Sequence, residues 1–300
     1  MTDETPATGG ISPSERDAMF RRARPQLRSL AHRLLGSAAD ADDMLQEAWI
    51  RLDRSDIDTI DNVDAWLRTV VTRLCLDELR SRRRRPVAAE PPAEAATAGE
   101  SVAPEETAIV ADSVTRAMLV VLDRLEPDER IAFVLHDLFA VPFADIGPIV
   151  DRSPATTKKL ASRARSKVRG GPAGRAAADH RSRAVVERFL SAAGRGDLAG
   201  VVAVLAPDVV RRSDVQALPP GAAALVRGAD AVARGTVALA GRSEIAEVVL
   251  VDGSIGAIVA PAGRLWIALR FEVVEDRIAA YDVIADPARL AALELRVLDP

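Results

Sequence analysis

The sequence predicts a multidomain chain in which two all-α segments precede an α+β domain. Its 300 residues suffice for two or three domains of ordinary size. Before residue 170, apolar side chains recur at helical spacing. In residues 264–272, by contrast, every second residue is a large apolar one, which is typical of a half-buried strand. Turns at Asp252-Gly253 and Glu275-Asp276 separate further strand candidates, so the sheet is expected to be antiparallel. Two stretches rich in Pro, Ala, Gly and Glu, at 86–111 and 171–183, predict linkers between these parts.

The first segment is predicted to contain three helices, over residues 12–36, 38–54 and 62–84. Ser12 followed by Pro13 and Glu15 is a helix-start pattern, because serine caps the first turn and the glutamate completes a capping box. Gly36 is a natural helix end. Pro25 lies inside the first helix and is expected to kink or split it, because proline lacks the amide proton that a helix interior needs.

Further helices are predicted after the first linker, over residues 113–125, 128–139, 143–150 and 154–169. Ser153 and Pro154 start the last of them as cap and first residue. Two short helices joined by a tight turn, with the second one basic, form a helix-turn-helix pattern. Pro148 lies in the first helix of this pair and is expected to distort it.

The net charge of −4 conceals opposite charges in different windows of the chain. Residues 36–66 hold nine acids against two arginines, whereas residues 152–169 hold seven basic groups and no acid. A second basic run, residues 80–85, contains five arginines. The basic windows favour nucleic acid as a partner, and the acidic helix favours a basic protein surface, because it would repel DNA.

The helix over 154–169 is the candidate reader of DNA bases. A recognition helix presents its first turns to base edges and its flanks to phosphates. Its first turns carry Thr156, Thr157, Lys158 and Lys159, and its later turns carry Arg163 and Arg165.

Chemistry typical of an enzyme is scarce. The sequence contains neither a phosphate-binding glycine loop nor histidines at metal-ligand spacing, so we expect no metal site, no cofactor and no catalytic residue. The single cysteine, Cys75, lies among leucines and is predicted to be a core residue. The N-terminus shows no secretory signal, and no apolar run is long enough to cross a membrane, so a cytoplasmic location is expected.

Three motifs, in order, resemble those of the extracytoplasmic-function sigma factors, the smallest sigma-70-type transcription initiation factors. Asp40 to Trp49 (DADDMLQEAW) is similar to their region 2 signature, and Ala65-Trp66-Leu67 with LDELR at 76–80 resembles its continuation. Leu125 to Arg165 resembles region 4. The resemblance covers residues 14–85 and 112–170.

The resemblance implies a partner for each surface. The acidic helix would bind core RNA polymerase through Asp42, Asp43, Gln46, Glu47 and Trp49. The third helix would recognise the promoter −10 element through Trp66, Arg73, Arg80, Arg82 and Arg83. The recognition helix would read the −35 element through Thr156, Thr157, Lys158, Lys159, Arg163 and Arg165.

The C-terminal part resembles a SnoaL-like domain, which has the cone-shaped nuclear transport factor 2-like fold. Arg188-Phe189-Leu190, Leu205 to Val210 and Asp286 to Leu290 carry this similarity. Such a domain would regulate the sigma factor in cis, with a small-molecule ligand or a regulatory protein as its partner. The predicted organisation is region 2 over 12–85, an acidic linker over 86–111, region 4 over 112–170, a linker over 171–183 and the SnoaL-like domain over 184–300.

Two other functions remain open at this point. A ligand-responsive repressor could use the helix-turn-helix alone, although it would have no need for the acidic helix. A fused cyclase or isomerase of the SnoaL type would need an acid or base in the cone. The carboxylates available for that purpose are Asp214, Glu272 and Asp282, each of which is equally consistent with a turn or surface position.

Overall fold

The computed structural model describes residues 12–84, 116–169, 180–238 and 246–298, which form two compact units. The first unit contains the described residues up to 84 together with 127–160, and the second contains all the others. The predicted linker over 86–111 and most of the one over 171–183 lie outside the described residues.

The first unit begins with three long helices: α1 (Pro13–Leu35), α2 (Ala38–Arg54) and α3 (Val63–Arg84). The capping box at the start of α1 is confirmed, because Ser12 Oγ accepts from the Glu15 amide and Glu15 accepts from the Ser12 amide. Gly36 ends the helix with a φ of 75°. The expectation that Pro25 splits α1 is wrong: the helix runs through it. Phe20 before Pro25 and Leu27 after it are both buried, and their packing supports the helix across the missing hydrogen bond.

Apolar side chains from all three helices form the core of this bundle. Leu34, Leu52 and Leu67 are among those fully withdrawn from solvent. Cys75 is buried with them, as predicted, and burial raises the pKa of its thiol to about 12. The thiolate form that would be reactive is therefore absent at neutral pH.

The rest of the first unit carries the helix-turn-helix. A helix predicted over 128–139 is instead α5 (Pro127–Phe133) followed by a π-helical turn, Val134–Leu138. The pair itself is α6 (Phe143–Val150) and α7 (Pro154–Arg169), and α6 continues through Pro148.

The turn between α6 and α7 is tight. Asp151 ends α6 in the left-handed region with a φ of 55°, and the Thr156 amide donates to the predicted cap, Ser153 Oγ, at 3.2 Å. A Cβ on Gly147 would lie 2.7 Å from the Arg152 carbonyl oxygen. Glycine therefore allows the chain to double back closely enough to start α7.

The second unit is built from helices packed on one mixed sheet. Its helices are α4 (Arg116–Asp123), the last turns of α7, α8 (His180–Gly194), α9 (Leu198–Val204), α10 (Ala229–Val237) and α11 (Pro287–Ala292). Its strands are β1 (Leu205–Ser213), β2 (Leu225–Arg227), β3 (Ala246–Val251), β4 (Ser254–Val259), β5 (Ile267–Val274), β6 (Arg277–Ile284) and β7 (Leu295–Arg296). Their order is β2-β1-β6-β5-β4-β3-β7. The predicted α+β architecture is confirmed.

The sheet is antiparallel at every pair except one. β1 runs parallel to β6, with Arg211 opposite Tyr281, so the expectation of an antiparallel sheet is wrong at this pair. The hairpins β3–β4 and β5–β6 turn at Asp252-Gly253 and Glu275-Asp276, as predicted. The strand predicted over 264–272 begins later, at Ile267, because 261–263 form a helical turn.

Helices α8, α9 and α10 cover one face of the sheet. Phe189 of α8 packs against Phe271 and Tyr281, with ring centroids 5.4 Å away in both cases. These rings form the centre of a core that also includes valines of α9 and α10. Among the described residues, no helix has the length and apolar character needed to cross a membrane.

Candidate nucleic-acid and polymerase interfaces

The acidic helix α2 presents a mixed polar face. Asp43 and Gln46 are exposed, and Glu47 accepts from Arg51 one turn later at 3.0 Å. Asp42 is held differently, because Arg28 donates to both of its carboxylate oxygens, at 2.9 and 3.0 Å. This hydrogen-bonded pair holds the pKa of the Asp42 carboxyl below its usual value.

Trp49 is only partly available on this face. Its ring lies 5.2 Å from that of Phe20 on α1, and the tryptophan is half-buried. It therefore ties α2 to α1 while leaving an edge exposed. The face that a partner can reach is formed chiefly by Asp43, Gln46 and Glu47.

The predicted DNA-contacting arginines of α3 are already engaged within the protein. Arg82 forms ion pairs with Asp40 at 2.7 Å and with Glu78 at 2.8 Å. Arg83 is exposed at the end of the helix, and Trp66 is half-buried near its start. The five residues predicted to contact the −10 element thus all lie along α3. The charge of Arg82 is already balanced by carboxylates of the protein itself.

Two of these arginines contact the helix-turn-helix part of the same unit. Arg80 donates to Asp128 at 2.8 Å, and the same carboxylate lies 3.6 Å from Arg152 in the turn before α7. Arg73 donates to the Pro148 carbonyl at 3.4 Å. Asp128 was not predicted as a functional residue, since its partner Arg80 lies 48 residues away in the sequence.

The recognition helix exposes most of its predicted contact residues. Thr156, Lys158, Lys159 and Arg163 are exposed, and Arg165 is half-buried. Thr157 does not share this surface: its side chain is fully buried, and its hydroxyl donates to the Ser153 carbonyl at 3.0 Å. A base edge can therefore be approached by Thr156 and the two lysines but not by Thr157 in this conformation.

A separate set of contacts joins α4 to the sheet of the second unit. The Glu247 carboxylate on β3 accepts from the Arg116 and Ala117 amides, at 3.1 and 2.8 Å. These are the first two amides of the described part of α4, where the N–H groups of a helix need acceptors from outside it. At the other end of α4, Arg124 donates to the Leu290 carbonyl at 2.8 Å and to that of Leu293. Sequence reasoning missed Glu247, whose partners are more than a hundred residues away.

The three carboxylates considered for catalysis all have structural contacts or lie in solvent. Asp282 pairs with Arg270 at 2.6 Å, and Glu272 is exposed. Asp214 accepts from the Ala285 and Asp286 amides, both at 3.0 Å, and pairs with Arg289. None of them lines the apolar cavity of this unit, whose described lining contains no Asp, Glu or His. The described residues also contain no cluster of three side chains able to hold a metal.

Replacing Asp214 by alanine is expected to destabilise the second unit by about 1–3 kcal/mol at neutral pH, because two partly buried amides lose their acceptor. Burial opposes ionisation of Asp214, but the Asp286 and Ala285 amides and Arg289 outweigh it and hold its pKa below the usual value. Its contribution is therefore complete above the usual pKa of about 4 and disappears as pH falls through the lower, folded-state pKa.

Urea unfolding of the wild type and Asp214→Ala at several pH values measures this difference. The gap between the two proteins should narrow as the pH drops below about 4. Glu272→Ala, which removes an exposed carboxylate from the same unit, should unfold like the wild type. A gap that stays constant down to acid pH would contradict the assigned role of the carboxylate.

Comparison with known proteins shows the family of the chain. Family models for sigma-70 region 2 and for sigma-70 region 4 match residues 19–85 and 115–168. The ECF RNA polymerase sigma factor SigJ of Mycobacterium tuberculosis is 42% identical over 207 residues, which cover 68% of this chain and 66% of that protein. The probable ECF RNA polymerase sigma factor SigI of the same species is 36% identical over 204 residues, covering 66% of this chain and 70% of the relative.

A solved structure shows a similarity that extends further along the chain. The crystal structure of Mycobacterium tuberculosis SigJ aligns with 91% of this chain and 98% of its own, at 34% identity and a TM-score of 0.46.

Both regions typical of a sigma-70-type factor are therefore present, in the expected order. The chain belongs to the family of ECF RNA polymerase sigma factors. Family membership favours this class over the repressor, because region 2 has no role in a protein that uses the helix-turn-helix alone.

Proposed function

We propose that this protein is an alternative sigma factor that binds core RNA polymerase through α2 and starts transcription at promoters it reads with α3 and α7. In this proposal α3 recognises the −10 element and α7 the −35 element. The protein itself is not an enzyme and needs no cofactor. The second unit modulates initiation in cis.

The observation that carries the proposal is the segregation of charge between exposed helix faces. Asp43 is exposed and Glu47 is half-exposed on α2, whereas Lys158, Lys159 and Arg163 are exposed on α7. An acidic face repels nucleic acid and suits a basic protein, while a cluster of cations at the start of a recognition helix suits phosphates and base edges. A factor that joins polymerase to promoter needs both faces in one chain.

Core binding and run-off transcription test this function directly. Purified full-length protein should bind core RNA polymerase, and the pair should produce transcripts from promoters selected in vitro by the complex. Tight promoter binding should require the core enzyme. A protein that binds the same DNA equally well without polymerase, and produces no transcript with it, would instead be a repressor.

Modulation in cis is supported by the contacts of α4. This helix has eight residues and would be marginal alone, so its stability depends on packing and on the groups that satisfy its ends. Glu247 and the two carbonyls that receive Arg124 supply those groups from the second unit. A conformational change in the sheet of the second unit would therefore alter the stability of α4, the helix that precedes the helix-turn-helix.

Replacing Glu247 by alanine is expected to lower transcript yield several-fold while leaving core affinity unchanged. The reason is that the charged acceptor of two helix amides is lost, at a cost of about 1.5–3 kcal/mol, and α4 loosens. Run-off transcription and core-binding titrations measure the two effects separately. Glu272→Ala is the control, since it removes an exposed acid from the same sheet. Equal yields from both variants would argue against coupling through α4.

A further inference from the structure

The second unit encloses a small cavity of about 70 Å³ between its sheet and helices. A single water needs roughly 10–15 Å³, so the space accommodates a compact organic molecule. Most of the lining is apolar. It includes Phe189, Val259, Ile267, Leu269 and Val283.

One charged side chain lines this cavity. Arg211 on β1 is 7% exposed, and it contacts neutral groups: Nη2 donates to the Ala223 carbonyl at 3.4 Å, and the guanidinium lies near the Tyr281 hydroxyl. No carboxylate among the described residues pairs with it. A buried cation without a counter-charge is costly, so the site is poised to accept an anion.

Unused hydrogen-bonding atoms point to the same conclusion. Arg211 Nε and Ser213 Oγ are buried and have no partner among the described residues. The two residues are separated by two positions on β1, so their side chains project to the same face of the strand, and both line the cavity. Together they offer an N–H and a hydroxyl to one acceptor group.

The neighbouring helix leaves room for the guanidinium. A Cβ on Gly235 of α10 would lie 2.7 Å from Arg211 Nη1. Thr236, the next residue, donates to the Val232 carbonyl at 2.9 Å and lies 2.8 Å from the Tyr281 hydroxyl. Because the one hydroxyl proton of Thr236 is used on Val232, Tyr281 donates to Thr236. The tyrosine oxygen can then accept from Arg211, and this holds the guanidinium at the cavity wall.

We propose that this cavity binds a small monocarboxylic acid with an apolar body, whose carboxylate is received by Arg211 and Ser213. A single guanidinium neutralises one negative charge, which fits a carboxylate better than a doubly charged phosphate. The apolar lining receives the rest of the molecule. The inference rests on the proposed regulatory role of the second unit and gives that role a ligand class.

Tyr281 provides a site-specific probe, because it is the only tyrosine in the chain. Full-length protein labelled with 3-fluorotyrosine should give one ¹⁹F resonance, and this resonance reports from the cavity wall. Titration with hexanoate or benzoate should shift it saturably. Hexanamide and benzamide, which have the same shape without the charge, should leave it in place at equal concentration.

Single substitutions show which side chain binds the carboxylate. Arg211→Met should weaken hexanoate binding by at least about tenfold, because the charged donor is lost. Ser213→Ala, a smaller change that leaves the fold undisturbed, should weaken it several-fold. Arg212→Met is the matched control: the next residue on β1 is exposed, and it pairs with Asp282 rather than lining the cavity.

A resonance that neither acid moves would overturn the proposal, as would an equal response to the amides or unchanged affinity in both Arg211→Met and Ser213→Ala. The titration needs no polymerase. A failure here therefore leaves core binding by the protein intact, and a failure of core binding leaves this result unaffected.

Discussion

Removing Lys158 and Lys159 together is expected to weaken promoter binding by the polymerase complex about 30-fold at about 0.15 M salt. Both lysines are exposed in the first turns of α7, where a recognition helix meets DNA. Each cation that neutralises a phosphate releases about 0.9 counterion, so the double variant should flatten the log–log salt dependence by about 1.8.

Both the loss of affinity and the change in salt slope can be measured by titrating a promoter selected by the wild-type complex at a series of salt concentrations. The control is Arg227→Ala with Arg234→Ala, which removes the same charge from exposed positions of the second unit. That control should change neither the affinity nor the slope appreciably. If it weakens binding as much as the α7 variant does, net charge alone is responsible and the lysines do not contact DNA.

Reversing the charge of Asp43 and Glu47 is expected to reduce affinity for core RNA polymerase by about 100-fold, because like charges then oppose each other across the interface. Asp43 is exposed and forms no ion pair with a described residue, and Glu47 loses only a surface pair with Arg51 worth about 0.5 kcal/mol or less. The fold of α2 should therefore survive Asp43→Lys and Glu47→Lys.

Competition for core enzyme against labelled wild-type protein measures the effect. Asp56→Lys with Asp61→Lys makes the same change in net charge at exposed positions between α2 and α3, and it should bind nearly as well as the wild type. Retained core binding by the α2 variant would place the polymerase contact elsewhere. Equal loss in both variants would show that binding depends on overall charge.

The helices could be predicted because residues at their ends, within a few positions in the sequence, determine where they start and stop. Ser12 and Ser153 cap the helices that follow them, and Gly36 ends α1. The parallel strand β1 was missed, because LAPDVVRRS shows no clean alternation and its partner β6 lies far along the chain. Local sequence preferences cannot predict a strand whose pairing partner is distant in sequence and becomes a neighbour only in the folded chain.

The candidate sites, like the fold, have features that local sequence predicts and features that depend on tertiary contacts. Residue type and helical spacing predicted which helix faces carry charge, and most of those side chains are exposed. Burial of Thr157 and the pairing of Arg80 and Arg82 depend on tertiary neighbours, so spacing could not show them. Arg211 had no distinguishing mark in the sequence, because nothing local tells a buried arginine from the exposed Arg212 beside it.

In the proposed function, Asp128 occupies a position that a DNA phosphate would take. Its carboxylate pairs with Arg80 of α3 at 2.8 Å and lies 3.6 Å from Arg152 beside α7, so one anion contacts a cation on each surface proposed to meet DNA. Partly exposed ion pairs of this kind are worth at most about 1 kcal/mol each. If α3 and α7 meet DNA as proposed, a promoter phosphate would replace the carboxylate at little cost, and neither arginine would be left without an anion.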